Sequence, residues 1–199
     1  MTEKRLKLLV VGVGGQGALT AARFLGEAAL SADLPVIVGQ LHGMSQRGGS
    51  VECPVLIGPG LSSHIGAGQA DVVLGLEPME VKRALPMLSE NTRVVVNRGT
   101  IVPFSLAVAG QDYPPIDQII QSVRDITKEV FEIDGPELVA KTGLGRTLNV
   151  VMLGAVAGLD MLPFDQATLW KAIEKKVPPR FLQANRMAFD LGLNAVTGT

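Results

Sequence analysis

Residues 6–11, apolar at every position but Lys7, run into a cluster of glycines, a pattern suited to a strand buried on both faces. After Gln16 the period lengthens. Ala18, Ala22, Leu25 and Ala29 recur at helical spacing, as do Leu19, Ala22, Gly26 and Leu30, which predicts a helix apolar over a broad arc and laid against a sheet. Residues 35–40 read as a second short strand. Strand, glycine turn, helix and strand thus fill the length of one β–α–β unit.

The segment 42–50 is polar and rich in glycine, and 51–57 alternates enough for a strand in which Pro54 favours an edge or a bulge. Residues 71–76 read as a buried strand. Glu77-Pro78 then opens a helix striped by Val81, Ala84, Leu85 and Leu88, since proline suits a first turn. A strand at 92–97 stops at Arg98-Gly99, and a short strand is expected at 104–109. Ile116, Ile119, Ile120 and Val123 mark a helix, and 130–133 a further strand before Asp134-Gly135-Pro136.

From Leu144 onward the spacing is helical. Leu148, Val151, Met152, Ala155 and Leu159 share a face, and Pro163 interrupts it. Asp165 caps a helix carrying Leu169, Ile173 and Val177, and after Pro178-Pro179 a last helix carries Phe181, Ala184, Ala188 and Leu191. The pattern predicts an α/β fold in a single domain over residues 1–199: a mostly parallel open sheet flanked by helices, with a Rossmann-like start and a helical C-terminal portion from residue 144.

Composition narrows the function classes. The chain is 47% hydrophobic and 19% charged, ample for a core, and with 4% aromatics that core falls to Val, Ile, Leu and Ala. Eighteen basic residues balance nineteen acidic ones, with no basic cluster beyond Lys4-Arg5 with Lys7 and Lys175-Lys176. Nucleic acid, held by clustered Lys and Arg, is therefore not an expected partner. The one cysteine, Cys53, precludes an intrachain disulfide and a cysteine-ligated cluster or zinc site built from this chain alone. It reads as a small buried hydrophobe, and no metal site is expected. The N-terminal run is short and broken by glycines, a strand rather than a signal peptide, and no stretch reaches the roughly 18 apolar residues of a membrane span. The expectation is a cytoplasmic protein without membrane contact.

Gly12, Gly14 and Gly17 fit G-x-G-x-x-G, a loop that lets backbone approach an anion at a helix N-terminus. The dinucleotide fingerprint also needs a carboxylate ending the second strand, to hold the ribose hydroxyls. Here that strand ends at Gly39-Gln40, and Asp33 precedes it. A stand-alone NAD(P)-dependent dehydrogenase is the weaker reading for that reason, and no P-loop sequence is present. Two uses stay open for Gly12, Gly14, Gly15 and Gly17: close packing of helix on strand, or approach to a ligand or partner. Gln16, whose amide both donates and accepts, favours the second.

The stretch HGMSQRGGSV at 42–51 is more specific. Gly43, Gly48 and Gly49 make it compact, and His42, Ser45, Gln46 and Arg47 crowd it with hydrogen-bonding groups. It leaves the second strand near the same sheet edge as the glycine loop, where ligands of open α/β sheets sit. Arg47 is the candidate for a carboxylate or phosphate, because its planar fork suits both. His42 is a candidate proton donor near a substrate, with a structural hydrogen bond as the alternative. The plainer reading is a turn whose Arg47 makes a surface ion pair. Glu77 either faces the ligand edge or satisfies N–H groups at the next helix start, and the second is favoured. Arg146 and Asn149 are further candidates for the crevice. His64 reads as surface, Trp170 as a helix anchor, and the scattered methionines as core filling.

GVGGQG at 12–17, HGMSQRGGSV at 42–51 and EP at 77–78 within DVVLGLEPMEVKRAL together resemble the gamma-type domain of the 2-oxoacid:ferredoxin oxidoreductases, the pyruvate/ketoisovalerate oxidoreductase gamma type. The HGM-x-QRGGSV form is similar to the beta subunit of indolepyruvate-type members, and GRTLNVVMLGA at 145–155 is in keeping. The resemblance covers most of the chain and is sharpest over residues 8–100. It implies oxidative decarboxylation of an arylpyruvate to an acyl-CoA, with electrons passed to ferredoxin. It also implies that thiamine diphosphate, magnesium and iron–sulfur clusters sit on a large alpha subunit. This chain is then an accessory subunit, inactive alone, that meets its partner through the glycine loops, with coenzyme A as a candidate contact. The residues agree from below, since one cysteine holds no cluster and no G-D-G…N-N type motif is present. A gamma subunit acting on pyruvate, 2-oxoglutarate or a branched-chain 2-oxoacid is the alternative. An apolar partner-facing surface would also lead the isolated chain to self-associate.

Overall fold

The computed structural model describes residues 5–42, 49–60, 64–101 and 112–198, with His42 described by its backbone alone. The expected strand at 104–109 lies outside the described residues, as do Gly43, Ser45, Gln46, Arg47 and Gly48.

At the centre of the sheet, β1 (Leu6–Val13) alternates its side chains between two cores. Leu6, Leu8 and Val10 enter one, and Leu9 and Val11 the other. This two-sided burial is why residues 8–11 are apolar without a break. On one side of β1 three strands follow in parallel: β5 (Val72–Gly75), β6 (Arg93–Asn97) and β7 (Val130–Ile133). On the other side β4 (Ser50–Ile57) runs antiparallel to β1, and it pairs in turn with β2 (Val36–Val38) and β3 (Leu41–His42). The order is β2-β4-β1-β5-β6-β7, with β3 also on β4. Every described strand except β4 runs the same way, so the sheet is mostly parallel, as expected.

The expected β–α–β unit is split. α1 (Ala18–Ser31) does carry the chain from β1 to β2, but β4 is inserted between those two strands. Pro54 accordingly lies in an interior strand rather than at an edge. Its carbonyl accepts from the Gly39 N–H (2.9 Å), so its missing N–H faces the break between β2 and β3, a bulge-like site that needs no donor.

Helices cover both faces. Residues of α1, α5 (Leu148–Gly158), α6 (Gln166–Glu174) and α7 (Leu182–Thr197) build the larger core. α2 (Pro78–Arg83) and α3 (Ile116–Arg124) close the smaller one. Pro86 cuts the predicted helix short, and a 3-10 turn at Leu85–Met87 carries the rest of its stripe. One helix was not expected from spacing: α4 (Gly135–Thr142), opened by Asp134, whose side chain accepts from the Glu137 N–H, and by a proline in its first turn. Leu30, predicted to pack, is 61% exposed, so the apolar arc of α1 is narrower than its sequence suggests.

α5 and α7 cross so closely that a Cβ on Gly154 would overlap the Phe189 carbonyl, and one on Gly192 the Val151 carbonyl. Trp170 anchors α6 against α7, its ring centroid 5.8 Å from that of Phe189. Among the described residues no helix is long and apolar enough to cross a membrane.

Candidate functional site

The chain leaves β1 for α1 on one face of the sheet and leaves β5 for α2 on the other. It reverses again between β6, which leads to α3, and β7, which leads to α4. Crevices open at such reversals, beyond the carboxyl ends of the strands. The loop after β1 turns there through Gly15 (φ 106°) and Gly17 (φ 88°), backbone that L side chains rarely adopt.

Two amides lace the strand ends together. The Val13 N–H donates to Gln16 Oε1 (2.7 Å), and Gln16 Nε2 donates to the Leu76 carbonyl (2.9 Å). Asn97, 2% exposed, donates to the same carbonyl (2.9 Å) and to that of Gly99 (3.1 Å). Its Oδ1 accepts from the N–H groups of Gly99 (2.9 Å) and Gly135 (3.2 Å). Gly12 leaves the room: a Cβ there would stand 3.0 Å from Gln16 Oε1 and from Leu76 Cβ. Gln16 therefore has a structural task that its sequence position alone did not disclose, and Asn97 was missed altogether. An Asn-x-Gly ending a buried strand was the available signal.

Above this floor lies a cleft of about 680 Å³. Gly15, Gln16 and Gly17 line one side, with Thr20 behind them. Gly99, Thr100 and Ile101 come from the end of β6, Gly135 and Pro136 from the start of α4, and Gly145, Arg146, Leu148 and Asn149 from the start of α5. The structure thus brings Arg146 and Asn149 to the glycine loop. On the other flank of β1, Ser50 and Val51 of β4 pair with Val13 and Gly12. A dinucleotide's ribose would need a parallel second strand at that position, so the split sheet removes the seat that the NAD(P) reading requires.

The second glycine-rich loop enters and leaves beside the first. His42 pairs with Val51 in the ladder, and the Gly14 N–H donates to the Gly49 carbonyl (2.8 Å). Ser50 Oγ donates to Glu80 Oε2, which ties the end of this loop to α2. Glu80 is 2% exposed, and its other oxygen lies 3.3 Å from Arg83 Nη1 without hydrogen-bond geometry.

Glu77 is fully buried and serves as the N-cap of α2, accepting from the Glu80 N–H (3.2 Å). The Tyr113 hydroxyl donates to Glu77 Oε1 (2.6 Å) and accepts from the Met79 N–H (3.2 Å). A bond from the backbone of Ile101 also reaches Glu77, so this carboxylate joins the cleft wall to α2. Burial raises the Glu77 pKa above its ordinary value, against the lowering effect of these donors. Burial, with the neighbouring Glu77 charge, likewise pushes the Tyr113 hydroxyl well above its usual range and keeps it a donor.

His64 is exposed. Cys53 is fully buried in β4, and burial pushes its thiol up to about 11, so it offers neither a thiolate ligand nor a nucleophile. Among the described residues no group of His, Cys, Asp and Glu could hold a metal ion.

Residues 7–195 match the family model described as pyruvate ferredoxin/flavodoxin oxidoreductase. The chain is similar to the indolepyruvate oxidoreductase subunit IorB of Methanothermobacter thermautotrophicus, with 38% identity over 94% of this chain and 96% of that one. It is 38% identical to the IorB subunit of Archaeoglobus fulgidus over 98% of this chain and 97% of that one. Its fold is that of the gamma subunit of a keto/oxoacid ferredoxin oxidoreductase from Geobacter sulfurreducens, with a TM-score of 0.71 at 22% identity over 98% of this chain and 99% of that one.

Proposed function

The chain belongs to the pyruvate ferredoxin/flavodoxin oxidoreductase family, and on that premise we propose that it is the small subunit of an indolepyruvate-type 2-oxoacid:ferredoxin oxidoreductase of the cytoplasm. The observation that carries this reading is the near end-to-end match to two IorB subunits. The reaction is oxidative decarboxylation of an arylpyruvate to its acyl-CoA, with the electrons leaving to ferredoxin. Thiamine diphosphate, magnesium and iron–sulfur clusters belong to a large partner subunit, and when bound there they supply the carbanion and electron-transfer chemistry. This chain contributes shape and donors. Gln16 and Asn97 lock the carboxyl edge of the sheet, so that the loops at 14–17 and 99–101 present one rigid rim. Gly49 and Ser50, tied to Gly14 and Glu80, hold the start of β4 beside the first glycine loop, and His42 and Arg47 are the candidates from the sequence for meeting the partner.

Co-expression with the large partner tests the assignment. The complex should oxidise indolepyruvate with ferredoxin or a viologen as acceptor, and the purified small chain should show neither turnover nor cofactor absorbance. A partner subunit fully active without this chain would overturn the reading. So would a complex that prefers pyruvate, 2-oxoglutarate or a branched-chain 2-oxoacid over arylpyruvates.

A further inference from the structure

Two glutamates are buried at α2, and they are used differently. Glu77, the N-cap, is fully buried, and donors from Glu80, Tyr113 and Ile101 meet its carboxylate. Glu80, in the helix, is 2% exposed, and one of its oxygens, Oε1, is buried and accepts no hydrogen bond. The Arg83 guanidinium beside it, 3.3 Å away, belongs to a side chain that is 41% exposed. A buried charge so incompletely met stabilises a fold less than an apolar side chain of similar size would. Packing alone therefore favours methionine or leucine at residue 80, since α2 closes a hydrophobic core.

What the carboxylate does instead is reach across the end of the sheet. Its Oε2 accepts from Ser50 Oγ. Ser50 opens β4 opposite Val13, the last residue of β1. The carbonyl of Gly49, one residue earlier, accepts from the Gly14 N–H (2.8 Å). One carboxylate on α2 is thus linked, through two successive residues of the second glycine-rich stretch, to the first glycine loop. Ser50 is only half-buried, so water could satisfy its hydroxyl. The bond is not required to cover a buried donor.

We propose that Glu80 is a positioning residue for turnover: acting through Ser50, it holds the end of the second glycine-rich stretch against the first glycine loop, and the folded chain is less stable for carrying it. The inference deepens the subunit reading and rests on it for the reaction. A hydrogen bond to a carboxylate is shorter and stronger than one between neutral groups, so it fixes Ser50 more closely than an amide at residue 80 would. Placement matters more to a reaction than to a fold, because a misplacement of about 1 Å far from the chemistry can slow turnover about a hundredfold. Glu77 has no such surplus, since its acceptors are committed to the helix start and to Tyr113.

Stability of the full chain and turnover of its complex with the large partner, measured side by side, test this. Glu80→Met should raise the Tm of the chain or leave it unchanged, because the buried charge is gone and Arg83 is free to meet water. In the complex the same variant should lower kcat for an arylpyruvate by about tenfold, the size of one hydrogen bond to a charged group, with KM unchanged. Glu80→Gln keeps an acceptor for Ser50 and should fall between the native complex and Glu80→Met. Ser50→Ala should lower kcat as far as Glu80→Met does, and the double variant no further than either alone, since the two residues act as a unit. An unchanged kcat in Glu80→Met would overturn the proposal. So would a kcat that falls only together with the Tm of the chain, or losses that multiply in the double variant. An active native complex with insensitive variants overturns this proposal alone, whereas a native complex without turnover overturns the subunit reading and this role with it.

Discussion

Gly154 and Gly192 sit where α5 crosses α7, and Gly12, Gly15 and Gly17 sit where β1 gives way to α1. At the crossing the glycines have ordinary helical backbone, and what they supply is absence: each lets a carbonyl of the facing helix occupy the space of a Cβ. In the turn, Gly15 and Gly17 have a left-handed φ; Gly15 faces open space, whereas Gln16 and Leu76 stand against Gly12 and Asn149 against Gly17. α5 belongs to both regions. Its body is fixed by the crossing, and its first turn holds Asn149 at the cleft, with Arg146 just before it. Tight backbone packing at one end of a helix thus sets the position of hydrogen-bonding groups at the other.

The sharpest way to break this comparison is to add one methyl group at the crossing. Helix propensity alone favours Gly→Ala by about 1 kcal/mol. At Gly154 or Gly192 the methyl meets backbone of the facing helix, which cannot swing away as a side chain can. Alanine there is expected to destabilise by roughly 3 kcal/mol, the upper range for overpacking. Urea denaturation reads the sign directly. A midpoint unchanged or raised in Gly192→Ala would show that the two helices are free to separate.

A smaller effect is expected in the turn. Gly15→Ala meets no heavy atom within 4 Å, so its cost is backbone strain alone, about 1–2 kcal/mol at φ 106°. Gly17→Ala carries the same strain and also presses on Asn149. Urea midpoints should therefore fall for both, and further for Gly17→Ala. Equal midpoints in the two variants would detach Asn149 from the glycine loop.

These two regions were unequally legible in the sequence. The turn announces itself, because glycines after an apolar run have few uses, and β1, β7, α3 and the Asp165 cap follow just as directly from local period and capping chemistry. The crossing does not, because Gly154 and Gly192 look like small residues in any apolar helix until their partner helix is known. Strand order was hidden for a similar reason. Nothing local to residues 50–57 says that they slip between β1 and β2, since pairing is decided by contacts across the whole sheet. Asn97 and Gln16 show the same limit at the site: an amide's role depends on which carbonyls and N–H groups the fold brings within reach, and Leu76 and Gly135 are distant in sequence. α4 was within reach of local reasoning, since Asp134, Pro136 and Glu137 form a helix start.

The remaining tests compare two helix caps of opposite burial, Glu77 on α2 and Asp165 on α6. Glu77→Gln keeps one acceptor and loses the other, so either Tyr113 or the Glu80 N–H goes unpaired, at about 1 kcal/mol near neutral pH. Because burial raises the Glu77 pKa in the folded chain, its contribution is full below the ordinary glutamate value and declines as pH rises through the folded one. The stability of the native chain relative to Glu77→Gln should therefore grow on acidification from neutral towards that value. A difference that stays flat between pH 7.5 and pH 5, measured by urea denaturation, would mean that the carboxylate is as well solvated folded as unfolded.

Asp165→Ala should give the smallest change and the opposite slope. The Asp165 side chain accepts from the Thr168 N–H (2.7 Å) while exposed to solvent, and hydrogen bonds from the Thr168 side chain and backbone lower its pKa below the ordinary value. A lowered pKa means that the cap stabilises above the ordinary aspartate value and is lost as pH falls through the folded one. The Tm deficit of the alanine variant should thus be present at neutral pH and vanish in acid, where the Glu77 contribution is at its fullest. Two carboxylates with the same task, accepting from the third N–H of a helix, then report opposite pH dependences. Burial is the variable that separates them, because it penalises the charge of Glu77 by more than its donors repay, whereas Asp165 meets its donor without leaving water.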